Sequence, residues 1–393
     1  MLNTPFAPWP AFTSEEADAV AGVVRSNKVN YWTGDECRTF ETEFAAWVGT
    51  SHAVALANGT LALDLALKAL GIGPGDEVVV TPRTFLASVS CVVTAGAIPV
   101  FAEVDRDTQN ITAATISKVL SARTKAIICV HLAGMPCDMD PIMALAKEHK
   151  LFVIEDCAQA HGAQYKGHHV GSIGHVGAWS FCQDKIMTTG GEGGMVTTND
   201  PALWRSMWAY KDHGKSWSAV YETQHPPGFR WLHDSFGTNW RMLEMQAVIG
   251  RIQLKRMAEW TAARQANAQQ IWATAKQFSA LRVPTTPNWA QHAAYKAYIF
   301  VEPTKLAAGW SRDRIMAELN ARGVPCYSGS CSEVYLEKAF DNTPWRPKTR
   351  LPVARELGET SLLFLVHPTL TAGEIEKTCS MLAAVISRAQ API

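Results

Sequence analysis

Two kinds of apolar spacing divide the chain. Stretches at 52–57, 78–81, 98–101, 125–130, 151–154, 177–181 and 195–198 include several that are apolar almost residue by residue. A strand buried on one face alternates, so uninterrupted runs point to strands covered on both faces, as in a parallel sheet. Between them the spacing shifts to three and four, the period of one helical face, at 61–70, 86–95, 113–120, 141–149 and 201–210. This alternation predicts an α/β fold with a mostly parallel sheet. Helices are also expected at 14–26, capped by Thr13 or Ser14, and at 39–48, with Phe40, Phe44 and Trp47 on one face. A long helix is expected from Arg241 to about Ala280, its apolar face running through Met242, Met245, Ile249, Ile252 and Leu254. Pro284 and Pro287 mark a boundary. Beyond it, strands at 297–302 and 362–365 and helices at 311–322 and 371–390 predict a second, smaller α/β domain. The expected division is an N-terminal segment 1–30, a large domain 31–245, a connecting helix 246–280 and a small domain 281–393.

Composition narrows the class. The chain has 393 residues, 47% of them apolar, enough for two substantial cores. Lys+Arg and Asp+Glu are both 36, so the formal charge is zero. No basic stripe offers itself to nucleic acid or to an anionic membrane. No apolar run is long enough to cross a bilayer, and residues 1–6 lack the basic-then-apolar order of a secretion leader. The nine cysteines are scattered without any Cys-x-x-Cys spacing. A cytoplasmic chain with reduced thiols is expected. Cys326 and Cys331 read as sharing a polar loop, but with no histidine near in sequence a metal is not expected there.

The candidate chemistry sits at strand ends, where ligands bind in open α/β sheets. After the strand at 52–57, Asn58-Gly59-Thr60 opens a helix. Either this is an ordinary strand–helix turn, or Gly59 and Thr60 cradle an anion at a positive helix end. Pro82-Arg83-Thr84-Phe85 follows the next strand. Asp156 ends the strand at 151–154 and reads either as a cap for the next segment or as a carboxylate awaiting a cation. Ser180-Phe181-Cys182-Gln183-Asp184-Lys185 then leads to Gly190-Gly191-Glu192-Gly193-Gly194. Lys185 is either a surface lysine in a glycine-rich hairpin or an amine freed by desolvation to attack a carbonyl. Asn30-Tyr31-Trp32-Thr33-Gly34 reads equally as core packing or as a substrate-facing loop. Taken together, the anion cradle, the aromatic Phe85, the acid Asp156 and the amine Lys185 are what pyridoxal 5'-phosphate needs.

On these residues the chain resembles the DegT/DnrJ/EryC1/StrS sugar aminotransferases. The likeness runs from about Tyr31 to the carboxyl end. It rests on Asn58-Gly59-Thr60, Gly71-Ile72-Gly73-Pro74-Gly75-Asp76-Glu77-Val78, Thr84-Phe85, Glu155-Asp156-Cys157-Ala158-Gln159-Ala160-His161-Gly162, Ser180-Phe181, Lys185, Gly191-Glu192-Gly193-Gly194 and Asn239-Trp240-Arg241-Met242. The resemblance implies the type I aminotransferase fold, with a seven-stranded, mostly parallel large sheet and a smaller C-terminal α/β domain. It implies that Lys185 carries pyridoxal phosphate as a Schiff base, Asp156 pairs with the pyridine nitrogen, Gln159 bonds the ring hydroxyl and Phe85 stacks on the ring. Gly59, Thr60 and Ser180 would hold the phosphate, joined by Asn239 from the neighbouring subunit of a homodimer. The implied reaction moves an amino group from glutamate to a keto or aldehyde sugar. The usual acceptor is a nucleotide-linked ketosugar destined for cell-surface polysaccharide or lipopolysaccharide. The competing acceptor is a free oxidised sugar acid such as 8-oxo-3,8-dideoxy-octulosonate, whose carboxylate Arg230, His225 or His233 could meet. More distant readings are a non-catalytic regulator or a sugar dehydratase. Some dehydratase relatives carry histidine at the lysine position, so Lys185 favours transamination. Two stretches depart from the family pattern, 211–239 and 328–335, and both are expected to shape the sugar pocket.

Overall fold

The structure, a computed structural model, describes residues 6–392. The reading of residues 1–5 lies outside the described residues. Seven strands make the large sheet: β1 (His52–Leu56), β2 (Glu77–Val80), β3 (Ile98–Phe101), β4 (Thr124–Val130), β5 (Phe152–Asp156), β6 (Val176–Ser180) and β7 (Gly194–Thr198). Their order is β1-β7-β6-β5-β4-β2-β3. All neighbouring pairs from β6 through β3 run parallel, and β7 runs antiparallel to both β6 and β1. Every residue of β2, β6 and β7 is buried, which explains why the sequence there does not alternate.

The helices are α1 (Ser14–Arg25), α2 (Glu36–Val48), α3 (Gly59–Ala69), α4 (Ala87–Thr94), α5 (Ala113–Ser117), α6 (Met139–His149), α7 (Pro201–Tyr210), α8 (Glu244–Ala275), α9 (Arg312–Ala321), α10 (Pro352–Thr360) and α11 (Ala372–Ala389). Thr13 is the cap of α1, in a capping box with Glu16. Helix α3 packs on β6 and β7, α4 on β3 and α6 on β5. A second, antiparallel sheet joins β8 (Leu281–Arg282), β9 (Ala297–Val301), β10 (Cys326–Tyr327) and β11 (Ser361–Phe364) in the order β8-β9-β11-β10. The two cores are not separated by a gap. The large-sheet core also takes in Tyr298, Phe300, Tyr335 and Leu363 from the C-terminal part.

Several elements depart from the sequence pattern. Helix α8 begins at Glu244, not Arg241, because Leu56 pairs with Arg241 and Ala57 N–H donates to the Trp240 carbonyl at 3.0 Å. The Glu244 carboxylate then accepts the N–H groups of Glu36 and Cys37 at 2.6 and 3.2 Å, tying the start of α8 to α2. The helix expected to reach residue 120 stops at Ser117. A three-stranded patch of Gln164–Tyr165, His168–His169 and Ala290–Gln291, each strand two residues long, has no period to register, and helix α10 is a further element the sequence reading does not include. Cys326 and Cys331 do not share a loop: Cys326 is buried in β10, while Cys331 is exposed.

Candidate active site

The carboxyl edge of the large sheet gathers the residues that the sequence singles out. Strand β1 passes into α3 through Asn58, whose side-chain oxygen accepts the Leu61 N–H at 3.0 Å and caps the helix. Gly59 is the first helical residue. A Cβ there would lie 2.4 Å from the Ser180 Cβ and 2.8 Å from its hydroxyl oxygen, so the glycine is what lets the end of β6 close on the helix start. Gly194 does the same from β7, where a Cβ would come within 2.2 Å of the Asn58 carbonyl oxygen. Thr60 is exposed beside them. Free N–H groups at the positive end of an 11-residue helix, with hydroxyls on either side, form a cradle suited to phosphate.

Asp156 is the last residue of β5 and stands opposite Ala178 in β6. It is 5% exposed. Its carboxylate accepts the Ser88 hydroxyl at 2.7 Å and the Ala158 N–H at 3.1 Å. The Thr84 and Ser88 oxygens are 2.8 Å apart. Since Ser88 gives its hydrogen to Asp156, Thr84 donates to Ser88. The sequence reading missed Ser88. Its signal was a serine four residues after Thr84 on an otherwise apolar helix face. Phe85 follows β2 with 69% of its surface exposed, so its ring is available for stacking. Gln159 is buried and its amide oxygen accepts the Ala133 N–H at 2.8 Å.

Lys185 stands on the loop between β6 and β7, partly buried, with its amine 3.9 Å from Asp184 and 5.7 Å from the centre of the Tyr295 ring. The Tyr295 hydroxyl donates to Asp184. Burial, then the charge of Asp184, holds that phenol well above the usual tyrosine range, so it remains a donor. Lys296 lies 4.8 Å from the centre of the same ring, its amine pushed down to about 8 by burial and then by Arg264. His161 is fully buried with neither ring nitrogen hydrogen-bonded, and burial, then Lys185 and Arg264, push it down to about 3. The imidazole is therefore neutral.

The remaining predicted residues sort themselves by packing. Tyr31 is buried, accepting the Trp208 indole N–H at 3.1 Å, with the Lys211 amine 3.4 Å from its ring centre; it packs and does not face a substrate. Asp212 is buried and accepts Arg241 at 2.7 Å and Lys215 at 3.0 Å. This pair fixes the backbone of Asn239, which bridges to Asp212 and leaves its side chain exposed. Of the three residues considered for a carboxylate, Arg230 and His233 are exposed, and His225 bonds the Ala219 carbonyl at 2.6 Å. The stretch 328–335 is stitched to the Phe85 loop: Thr84 N–H donates to the Cys331 carbonyl at 3.0 Å and Val334 N–H to the Pro82 carbonyl at 2.9 Å. His131, Glu155 and Cys157 lie close enough to hold a metal. However, Glu155 already accepts His131 at 3.0 Å and the N–H groups of Gly171, Ile173 and Gly174 at 2.6–2.8 Å, so its lone pairs are taken.

Comparison with known proteins meets this geometry. The chain is 38% identical to a UDP-N-acetyl-3-dehydro-alpha-D-glucosamine 3-aminotransferase of Acidithiobacillus ferrooxidans, over 89% of this chain and 88% of that one. The X-ray structure of an aminotransferase from Psychrobacter cryohalolentis is 65% identical, with a TM-score of 0.96 over 98% and 99% of the two chains. DesV from S. venezuelae, solved in complex with a ketimine intermediate, is 32% identical with a TM-score of 0.84 over 95% of each. The sequence model of the DegT/DnrJ/EryC1/StrS aminotransferase family matches residues 10–383. With a mostly parallel sheet that carries an acid, an amine and an anion cradle on one edge, this chain belongs to the DegT/DnrJ/EryC1/StrS aminotransferase family.

Proposed function

We propose that the protein is a pyridoxal 5'-phosphate-dependent aminotransferase that moves an amino group from glutamate to a nucleotide-linked ketosugar, in the cytoplasm, for cell-surface polysaccharide or lipopolysaccharide synthesis. The carrying observation is the placement of the hydrogen-bonded Asp156 carboxylate, the Lys185 amine and the Gly59–Ser180 cradle on one sheet edge. The residues fit the cofactor. A side chain at Gly59 would fill the cradle, and two donors hold the Asp156 carboxylate in place. The cofactor, when bound, supplies an aldehyde for amine exchange and a ring that takes up electrons.

The chain's own groups do the rest. Gly59, Thr60 and Ser180 bind phosphate. Asp156 keeps a ring nitrogen protonated, Gln159 orients the ring hydroxyl and Phe85 covers a face. Lys185 would hold the aldehyde, and its amine would be the group that gives and takes a proton there. Asn239 is offered to a second copy. Phe229, Trp231 and Phe236 on the same segment are 80%, 84% and 98% exposed, an apolar surface that suits a homodimer with shared sites. Nine free thiols fit a reducing compartment. No helix among the described residues is long and apolar enough to cross a membrane.

The nucleotide link is supported by the relatives, one of which is named for a UDP-sugar. The test loads the protein with pyridoxal phosphate and adds glutamate. The visible band should bleach, then return on adding a nucleotide-linked ketosugar but not a free oxidised sugar acid. Failure to bleach removes the glutamate donor; return only with the sugar acid transfers the acceptor to that class.

A further inference from the structure

The segment that precedes α1 crosses the catalytic loop. The Trp9 indole N–H donates to the carbonyl of Lys185 at 2.8 Å. The same ring lies edge-on to Trp260 at 5.0 Å and stacks with His367 at 5.8 Å. Its face receives the Arg264 guanidinium at 4.8 Å. Arg264 is 1% exposed and donates to the Tyr295 carbonyl at 3.3 Å, while its Nε and Nη2 have no hydrogen-bond partner. A buried guanidinium so poorly satisfied needs the aromatic face above it. Just before the indole the segment is anchored to the C-terminal domain. The Thr369 hydroxyl donates to the Pro8 carbonyl at 2.8 Å, Ala7 N–H donates to Glu374 at 2.6 Å, and Phe6 joins the small-sheet core.

We propose that Trp9 is a positioning residue for Lys185: it fixes the carbonyl at the root of that side chain and, through the strap 6–9, ties the catalytic loop to the C-terminal domain. This rests on Lys185 being the reactive amine. The Lys185 amine is held by a 3.9 Å pairing with Asp184 and a 5.7 Å approach to the Tyr295 ring centre and by no hydrogen bond among the described residues, so its aim depends on where the loop backbone is held. An attacking group must be placed to a fraction of an ångström, and misplacement by about 1 Å costs about a hundredfold in rate. A tryptophan serves because one ring must do two things: its edge donates a hydrogen bond while its face takes a cation.

The test compares Trp9→Phe with Trp9→Ala in the full chain. Phenylalanine keeps a face for Arg264 and loses only the donor; alanine loses both. Hydrogen exchange of the peptide spanning 183–188, measured without added cofactor, should quicken in Trp9→Phe while the strands of the small sheet exchange as in the parent. With pyridoxal phosphate added, the pH titration of its visible band should shift in Trp9→Phe. The glutamate half-reaction should slow about tenfold with KM held. Unchanged exchange at 183–188 with an unshifted titration in Trp9→Phe, and only lower stability in Trp9→Ala, would reduce Trp9 to packing and overturn the proposal. If the parent chain forms no visible band, the cofactor reading fails, and the exchange measurement alone decides the strap.

Discussion

Ser88 gives its hydroxyl hydrogen to the Asp156 carboxylate at 2.7 Å, and Thr84 gives its own to Ser88. The relay runs from the loop that presents Phe85 to the acid at the end of β5, so the exposed aromatic and the buried carboxylate are tied by one chain of bonds. Ser88→Ala leaves a buried carboxylate with one donor fewer. It should cost about 1–3 kcal/mol in denaturant unfolding and weaken pyridoxal phosphate binding. Asp156→Asn keeps a polar side chain and removes the charge, and should lower turnover far more than it lowers stability. Equal stability and turnover in both variants and the parent would remove the relay from the mechanism.

Gly59→Ala tests the cradle. Alanine is a good residue for the first turn of a helix, so any loss must come from the Cβ meeting Ser180 at 2.4 Å. Cofactor affinity should fall about tenfold or more, since a displacement of 1 Å or so breaks hydrogen bonds to phosphate worth about 1.5–3 kcal/mol each. The double variant Gly59→Ala/Ser180→Gly removes the two tightest overlaps together with the hydroxyl and leaves the backbone Cα of residue 180 at 2.9 Å. Stability should recover in part in it while affinity stays low. Recovery of both would mean that Ser180 only fills space.

Lys185→Ala should abolish turnover and the visible band of the bound cofactor. The fold should barely notice. Its 3.9 Å pairing with Asp184, whose side chain is 62% exposed, is the kind of solvent-screened ion pair that contributes about 0–1 kcal/mol. A chain that keeps the band without this amine would place the cofactor linkage elsewhere.

Much of this was legible in the chain. Buried parallel strands announce themselves because both faces are apolar, as β2 and β6 do with every residue covered. Strand-end glycines and acids stand out against such runs, which is why the sequence singles out Gly59 and Asp156. What stayed hidden depends on contacts far apart in sequence. Trp9 meets Lys185 across 176 positions, and Tyr295 meets Asp184 across 111. No local period encodes either pair. The start of α8 was misplaced for a similar reason: Arg241 is helical by local spacing, but β1 claims it as an edge partner. Tyr31 and Trp32 read alike in sequence, yet Tyr31 is buried beneath Lys211 with its hydroxyl bonded to Trp208, while Trp32 stays partly exposed.

Acid should begin to weaken the fold just below neutrality, and His161 is a chief cause. Burial, then Lys185 and Arg264, push His161 down to about 3; burial, then Arg264 and Lys296, push His367 down to about 3. Both rings ordinarily titrate near 6.5 when unfolded. The folded state thus holds fewer protons than the unfolded one between those values. Stability is complete above about 6.5 and drains away as pH falls, by at most about 1.4 kcal/mol per pH unit for each ring. His161 has no hydrogen bond to lose, and it packs against Trp179 and Phe181 at 5.2 and 5.6 Å. His161→Phe should therefore be tolerated at pH 7 and should flatten the decline between pH 6 and pH 4. Denaturant unfolding of parent and variant at pH 7, 6, 5 and 4 measures the slope directly. Parallel slopes would show that the acid sensitivity lies in other groups and that the His161 imidazole can be charged in the fold.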